Sequence, residues 1–156
     1  MHITIVAVGQ KLPAWAQTAV DDYLARFPRD FTVIVKEVKA EARTGGKPVA
    51  QVMAAEAERI ERAVPAGDIL VAMDEHGRDM TTLDFSKKIS GWKNESCGVT
   101  FIIGGADGLD PALKAKSRMM LRLSSMTLPH AFARVLLTEQ IYRAWSILAN
   151  HPYHRV

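Results

Sequence analysis

A dense glycine cluster, Gly104-Gly105-Ala106-Asp107-Gly108, follows the apolar residues 99–103. Adjacent glycines carry no Cβ, so their backbone can approach a flat ligand, or can simply supply the positive φ angles of a tight turn. The residues alone leave both interpretations open. Dinucleotide-binding enzymes place a GxGxxG loop after the first strand. Here only Gly9 follows the first apolar run, which disfavours that class.

A second candidate segment, residues 123–130, reads Leu-Ser-Ser-Met-Thr-Leu-Pro-His and is rich in hydroxyl groups. Its backbone amides and carbonyls are accessible enough to hydrogen-bond a purine edge. Alternatively, Ser and Thr ahead of a helix act only as helix caps. His130, in the first turn of that helix, is either a structural residue or a candidate general base.

The third segment is the end of the chain, His151-Pro152-Tyr153-His154-Arg155-Val156. Aromatic rings, imidazoles and a guanidinium can stack on bases and hold phosphates. The same third of the chain is basic: residues 111–156 hold seven Lys and Arg against the single acid Glu139. Such a charge favours a nucleic-acid partner, although solvated helix faces give the same pattern.

Other classes of protein are disfavoured by what the sequence lacks. GxxxxGK[ST], GxSxG and HExxH are absent, so a P-loop nucleotidase, a serine hydrolase and a zinc protease are not indicated. One cysteine, Cys97, cannot form a disulfide framework and is expected to be a buried hydrophobe in a reducing compartment. No apolar run is long enough to span a membrane, and the first residues do not resemble a signal peptide. We therefore expect a soluble cytoplasmic protein without a metal ion.

Strands alternating with helices predict one α/β domain. We expect a mostly parallel sheet of five to six strands flanked by helices, and a second helix that is polar enough to lie on the surface. Strands are predicted at residues 3–8, 31–38, 69–74, 99–103 and 119–123, and helices at about 13–27, 48–64, 82–92 and 130–150, with a short one starting at 111. Ligands bind at the carboxyl ends of parallel strands. The turns at 74–77, 104–108 and 124–129 should therefore meet.

The last helix carries apolar residues over more than one face, which indicates burial on two sides. The second side is covered either by the rest of the domain or by a partner subunit.

Taken together, these segments resemble the ribosomal RNA large subunit methyltransferase H family. The resemblance rests on Ile102-Ile103-Gly104-Gly105 with Gly108, on residues 123–130, and on Tyr142-Arg143-Ala144 followed by His151-Pro152-Tyr153-His154. It extends to Val6-Ala7-Val8-Gly9 and Arg26-Phe27-Pro28, and so covers essentially the whole chain.

The resemblance implies a SPOUT-class enzyme, a cytoplasmic homodimer with a trefoil knot near its C-terminus. It implies that S-adenosylmethionine is the methyl donor, that the cofactor-binding knot region covers about residues 70–156 of a single domain, and that neither membrane nor DNA is bound. The implied substrate is N3 of a pseudouridine in helix 69 of 23S rRNA, methylated on the assembled ribosome.

The resemblance also assigns site residues. The donor contacts would be Met73, Gly104, Gly105, Leu123, Ser124, Ser125, Met126, Thr127 and Leu128. The catalytic candidates are His130, Arg143, Tyr153, His154 and Arg155. The chain departs from the family in having Ala106-Asp107 where many relatives carry Pro-Glu, and Met73 where Leu is common. The tail would serve its own site or that of the partner subunit.

Three alternatives remain open at this point. One is a SPOUT methyltransferase acting on tRNA, and another is a non-catalytic RNA-binding factor in ribosome assembly. The third, a nucleotide-dependent oxidoreductase, is disfavoured by the missing GxGxxG.

Overall fold

The computed structural model describes residues 1–9 and 11–154. Gln10, Arg155 and Val156 lie outside the described residues, so the prediction for Arg155 has no structural counterpart here.

Five strands form one sheet in which every pair of neighbours is parallel. They are β1 (His2–Val8), β2 (Thr32–Val38), β3 (Ile69–Arg78), β4 (Val99–Ile103) and β5 (Met119–Leu121), in the order β2-β1-β4-β3-β5. The central strands β1 and β4 are apolar at almost every position because both of their faces are covered. The predicted fold class is confirmed.

Within residues 1–9 and 11–154, five α-helices connect the strands and cover the sheet: α1 (Ala14–Leu24), α2 (Val49–Ala63), α3 (Thr82–Asn94), α4 (Pro111–Lys116) and α5 (His130–Leu148). Two of the helix starts have the predicted caps. The Thr81 hydroxyl accepts a hydrogen bond from the amide of Asp84, and the Asp110 carboxylate accepts one from Ala112. The ends of α1, α5 and β5 lie two or three residues before the predicted ones.

The helices pack on opposite faces of the sheet. Alternate residues of β1, Ile3 and Ile5 on one side and Val6 and Val8 on the other, belong to two separate core clusters. The first cluster includes residues of α3 and α5, and the second includes residues of α2 and α4.

The prediction that α2 lies on the surface is correct only for its outer side. Its inner side buries the apolar residues Val52, Ala57 and Ile60 together with the side chain of Glu56. The many charged residues between them hide this apolar stripe in the average composition.

Helix α5 lies between α1 and α3, which explains most of its broad apolar surface. Phe132 and Leu136 nevertheless remain 49% and 37% exposed. No helix among the described residues is both long and apolar enough to cross a membrane.

Candidate active site

Two adjoining cavities of about 510 and 150 Å³ open at the carboxyl ends of β3, β4 and β5. Both are lined by Met73, Ile103 and Leu128. The predicted donor-binding residues all line one or both cavities, except Ser125: these are Met73, Gly104, Gly105, Leu123, Ser124, Met126, Thr127 and Leu128. The three turns therefore meet, as the order of elements predicts.

A bulge at the end of β3 shapes one wall of this space. Both Met73 and Arg78 pair with Leu121 of β5, so the intervening residues leave the ladder. A Cβ on Gly77 would come within 2.7 Å of the backbone of Leu121, and only glycine fits this return to the sheet. The bulge directs residues 74–76 toward the cavity.

The glycine cluster closes on itself. A Cβ on Gly104 would lie 2.5 Å from the carbonyl carbon of Gly108. Gly108 has φ +84°, and its amide donates to the carbonyl of Gly105 at 3.0 Å. The sequence left two explanations for these glycines open, close approach to a ligand and a tight turn. The tight turn explains why glycine stands at these positions. The turn in turn forms part of the cavity wall.

Asp74 is a cavity residue that sequence reasoning did not assign, although an acid at the end of an apolar strand was the available signal. Its carboxylate accepts hydrogen bonds from the amide of His76 at 2.8 Å and from Lys114 at 3.1 Å. Burial alone would raise its pKa, but these bonds outweigh burial and hold the pKa below its ordinary value. The cavity wall therefore carries a carboxylate at neutral pH.

Asp107, the acid of the glycine loop, also lines the larger cavity but is paired with an arginine. Arg43, in the segment between β2 and α2, donates to the Asp107 carboxylate at 3.3 Å. The ion pair ties that segment to the glycine loop. Among the described residues, no group of three or more His, Cys, Asp and Glu side chains could hold a metal ion.

His130 also lines the larger cavity, at the start of α5. Its Nε2 accepts a hydrogen bond from Nε of Arg134 at 3.1 Å. Burial, followed by the charge of Arg134, holds the pKa of His130 below its ordinary value of 6.5. At neutral pH the ring is therefore uncharged.

This lowered pKa predicts a pH dependence of stability. The unfolded chain binds a proton at His130 more readily than the folded one, so this contribution to stability is present above about pH 6.5 and is lost at lower pH. We expect the free energy of unfolding to fall less steeply between about pH 7 and 5 in His130→Asn than in the unsubstituted protein. Urea denaturation at a series of pH values measures both slopes; equal slopes would contradict the assignment.

The remaining described catalytic candidates are Arg143, Tyr153 and His154. Together with Glu139 and Tyr23 they form a separate cluster, which we call the tail cluster. Tyr153 donates to Glu139 at 2.9 Å, and Glu139 accepts from Nε of Arg143 at the same distance. The Arg143 guanidinium lies 5.0 Å from the centre of the Tyr153 ring. His154 contacts the hydroxyl of Ser146 at 3.3 Å.

Charge and burial set the protonation of this cluster. Burial and the bonds to Tyr23 and Glu139 raise the pKa of the Tyr153 phenol far above neutrality. The hydrogen bond to Glu139 likewise raises the pKa of Arg143. Tyr153 therefore remains a neutral hydrogen-bond donor, which does not suit it to act as a general base.

Within one chain the structure does not bring the tail cluster to the cavity. His130 and Arg143 lie thirteen positions apart on the continuous helix α5. At 1.5 Å per residue they are roughly 20 Å apart along its axis. The donor-binding candidates and His130 are thus together, and Arg143, Tyr153 and His154 are elsewhere.

Comparison with known proteins identifies the family of the chain. A family model described as "Predicted SPOUT methyltransferase" matches residues 1–154. Ribosomal RNA large subunit methyltransferase H of Ralstonia pickettii (strain 12J) is 52% identical over 156 residues, which are 100% of both chains. The protein of the same name from Bordetella avium (strain 197N) is 54% identical over 155 residues, 99% of each chain.

Solved structures show the same fold at low sequence identity. One, described as a probable methylase family protein from Haemophilus influenzae Rd KW20, is 13% identical with a TM-score of 0.59, covering 99% of this chain and 70% of that chain. A methylase family protein from Neisseria gonorrhoeae is 14% identical with a TM-score of 0.54, covering 99% and 95%. With the full-length matches at 52% and 54% identity, these findings show that the chain belongs to the ribosomal RNA large subunit methyltransferase H family of SPOUT methyltransferases.

Proposed function

We propose that this protein transfers a methyl group from S-adenosylmethionine to N3 of a pseudouridine in helix 69 of 23S rRNA, on the assembled ribosome. The observation that carries the proposal is the meeting of the turns after β3, β4 and β5 in one space. That space is lined by eight of the nine residues that the family resemblance assigns to the donor. The name shared by the relatives supports a substrate in the large ribosomal subunit.

The residues present fit S-adenosylmethionine. The larger cavity, about 510 Å³, is within the usual range of roughly 300–1,000 Å³ for small-molecule sites. Its glycine turn, and the residues of segment 123–128 that line the adjoining cavity, offer backbone groups to an adenine edge. When bound, the donor supplies a methyl group on a sulfonium, and the proposed reaction needs no metal ion.

On the acceptor side, the proposal assigns the tail cluster to the target nucleotide. N3 of a uracil-type base carries a proton at neutral pH, so N3 must release that proton before it can attack the methyl carbon. Loss of the proton leaves negative charge on the base until N3 has taken the methyl group. Arg143 is held in place by Glu139 and by the Tyr153 ring, and a fixed guanidinium stabilises such charge on a neighbouring carbonyl. Tyr153 and His154 would orient the base. Arg155 keeps its predicted role, outside the described residues.

The separation of these two groups supports a homodimer. Since the tail cluster lies roughly 20 Å from the cavity of its own chain, we propose that it serves the cavity of the partner subunit. An exposed apolar patch on α1 and α5 is a candidate interface. There Trp15, 50% exposed, packs on Phe132 at 4.9 Å between ring centres, next to Leu136.

We expect Phe132→Asp to convert the dimer into a monomer, because a carboxylate would be buried without a partner in the proposed interface. Sedimentation velocity measures the outcome. Val49→Asp is the matched control, since Val49 is equally exposed, at 52%, but lies on α2 on the other face of the sheet. A monomeric unsubstituted protein, or a dimeric Phe132→Asp, would contradict the assigned interface.

Membership of the SPOUT family implies a trefoil knot. We propose that the knot lies in the region of about residues 70–156. The proposal places the protein in the cytoplasm with the ribosome, without binding to membrane or DNA.

Incorporation of tritiated methyl groups tests the function. The substrates are assembled ribosomes, free large subunits, naked rRNA and tRNA, and the labelled nucleoside is mapped. We expect label only in ribosomes, at N3 of a pseudouridine in helix 69. Labelled tRNA would instead indicate a tRNA methyltransferase. RNA binding without donor binding in calorimetry would indicate a non-catalytic assembly factor.

A further inference from the structure

A groove on the solvent side of α3, which we call the α3 groove, carries three basic side chains. Its volume is about 490 Å³, and Arg78, Lys87 and Lys88 line it. All three are exposed. None of them forms an ion pair with a carboxylate in the part of the chain that the structure describes.

The acids of the α3 groove do not offset these charges. Two carboxylates line it, those of Asp84 and Glu95. Glu95 is bound by Arg118 at 2.9 Å, so Asp84 alone is left to oppose the three cations. Cations that are held together on one surface raise the local positive potential, which attracts polyanions. The α3 groove therefore has the charge that an anionic partner requires.

The shape of the α3 groove suits phosphate groups better than nucleotide bases. The aromatic residue in its wall, Trp92, is only 3% exposed and offers no face on which a base could stack. Gly91, also in the wall, is exposed and has nothing within 4 Å of its Cβ position. A phosphate backbone can therefore come close to the helix at this point. Contacts to phosphate position a nucleic acid without reading its sequence.

The α3 groove begins beside the proposed donor site. Arg78 is the last residue of β3, directly after the bulge that directs residues 74–76 toward the cavity. Its carbonyl accepts a hydrogen bond at 3.2 Å from the amide of Arg122, which lines the smaller cavity. Helix α3 starts near this end of β3 and returns toward the amino end of β4. An RNA lying in the groove would therefore extend from the reaction site along the same subunit.

We propose that Arg78, Lys87 and Lys88 form a docking surface for the sugar–phosphate backbone of the rRNA beside the target nucleotide. The inference rests on the proposed function, because it takes the ribosome as the substrate. The α3 groove holds the RNA, and the tail cluster receives the nucleotide to be methylated. The three cations contribute to affinity for the ribosome and not to the chemical step, since none of them lines the donor cavities.

Removal of the two lysine charges is the first test. At about 100 mM potassium chloride and constant magnesium, we expect Lys87→Gln with Lys88→Gln to weaken binding to ribosomes about tenfold. The slope of log K against log salt should become less steep by about two, one for each lost phosphate contact. The KM for ribosomes should rise about tenfold with kcat unchanged, because only substrate binding is affected. Co-sedimentation with ribosomes and tritium incorporation measure these quantities.

Arg29→Gln with Lys93→Gln is the matched control. Both side chains are exposed and have no ion pair among the described residues, but they line a depression at the amino ends of β1 and β4, the opposite edge of the sheet. This variant loses the same charge and should keep the KM and the salt slope of the unsubstituted protein. Equal effects of the two double variants would overturn the proposal, because binding would then follow net charge alone.

Gly91 offers a second test, in which no side chain is removed. Its Cβ position is open, so Gly91→Glu and Gly91→Lys place side chains of similar length and opposite charge in the α3 groove. We expect Gly91→Lys to bind ribosomes about tenfold more tightly than Gly91→Glu, with Gly91→Ala between them. An affinity that does not depend on the sign of the charge would contradict a phosphate backbone at this position.

The outcomes separate this inference from the proposed function and from a protein partner. If the unsubstituted protein methylates no ribosomes, the proposed function is wrong. If it does, and the double lysine variant keeps its KM and salt slope, only the docking surface is wrong. The double lysine variant should also bind a short RNA duplex of unrelated sequence more weakly than the unsubstituted protein does. Unchanged binding to the duplex, with weaker binding to ribosomes, would place an acidic ribosomal protein in the groove and overturn the assignment to RNA.

Discussion

Deletion of residues 151–156 is expected to lower methyl transfer to ribosomes by at least about 100-fold, the usual effect of losing groups that stabilise developing charge. The affinity for S-adenosylhomocysteine should change by less than about threefold, because the tail is assigned to the target nucleotide and none of its described residues lines the donor cavities. Tritium incorporation and calorimetry measure the two quantities separately. Full activity of the truncated protein would remove the tail from the mechanism.

Tyr153→Phe is the matched point variant for this deletion. It keeps the ring packed edge-on against Tyr142, 4.6 Å between centres, and removes only the hydroxyl that binds Glu139 and Tyr23. We expect an intermediate loss of activity, because Arg143 keeps its bond to Glu139.

Mixed dimers decide which subunit the tail serves. One subunit lacks residues 151–156, and the other carries Gly104→Ala to disable its cavity. If the tail serves the partner, the intact cavity and the intact tail meet in one site, and activity returns in the mixture. A mixture as inactive as its two parents would show that each tail serves its own subunit.

Gly104→Ala is expected to weaken binding of S-adenosylhomocysteine by about 100-fold or more, equivalent to at least about 2.7 kcal/mol. A Cβ at this position would lie 2.5 Å from backbone carbon and 2.7 Å from backbone oxygen of Gly108. Backbone cannot rotate away as the end of a flexible side chain can, so the turn must open. Calorimetry measures the affinity, and unchanged binding would show that the shape of this turn is irrelevant to the ligand.

Substitutions at two other glycines serve as comparisons for Gly104→Ala. A Cβ on Gly105 would meet side chains, Glu56 at 3.0 Å and Val8 at 3.2 Å, so Gly105→Ala should have a smaller effect. Gly91, within α3, has nothing within 4 Å of its Cβ position. Gly91→Ala should leave donor binding unchanged and raise the free energy of unfolding by about 0.5–1 kcal/mol, because alanine favours a helix.

Much of the fold was predictable, because the spacing of apolar residues indicates the strands and helices, and their order along the chain indicates where the turns lie. β1 and β4 are apolar on both faces, so they had to be central strands of a parallel sheet. Carboxyl ends of parallel strands share one edge, so the turns after β3, β4 and β5 had to meet there. The sequence could therefore predict that these turns lie together, whereas the donor-binding candidates on them came from the family resemblance.

The features that the sequence could not predict depend on contacts between distant parts of the chain. Arg134 looks like an ordinary charged residue of a helix until Glu37 and His130 are seen around it. The bulge that brings Asp74 to the cavity arises from pairing between β3 and β5. The separation of His130 from Arg143 follows from α5 being one continuous helix, but the sequence does not show which cavity of the proposed homodimer the tail cluster serves.

A crystal structure of the protein with S-adenosylhomocysteine tests the central claim most directly. The account predicts the ligand between the glycine turn at Gly104 and residues 123–128, beside the end of β3. Density for the ligand beside the turn after β1, or no binding at saturating concentration, would contradict it.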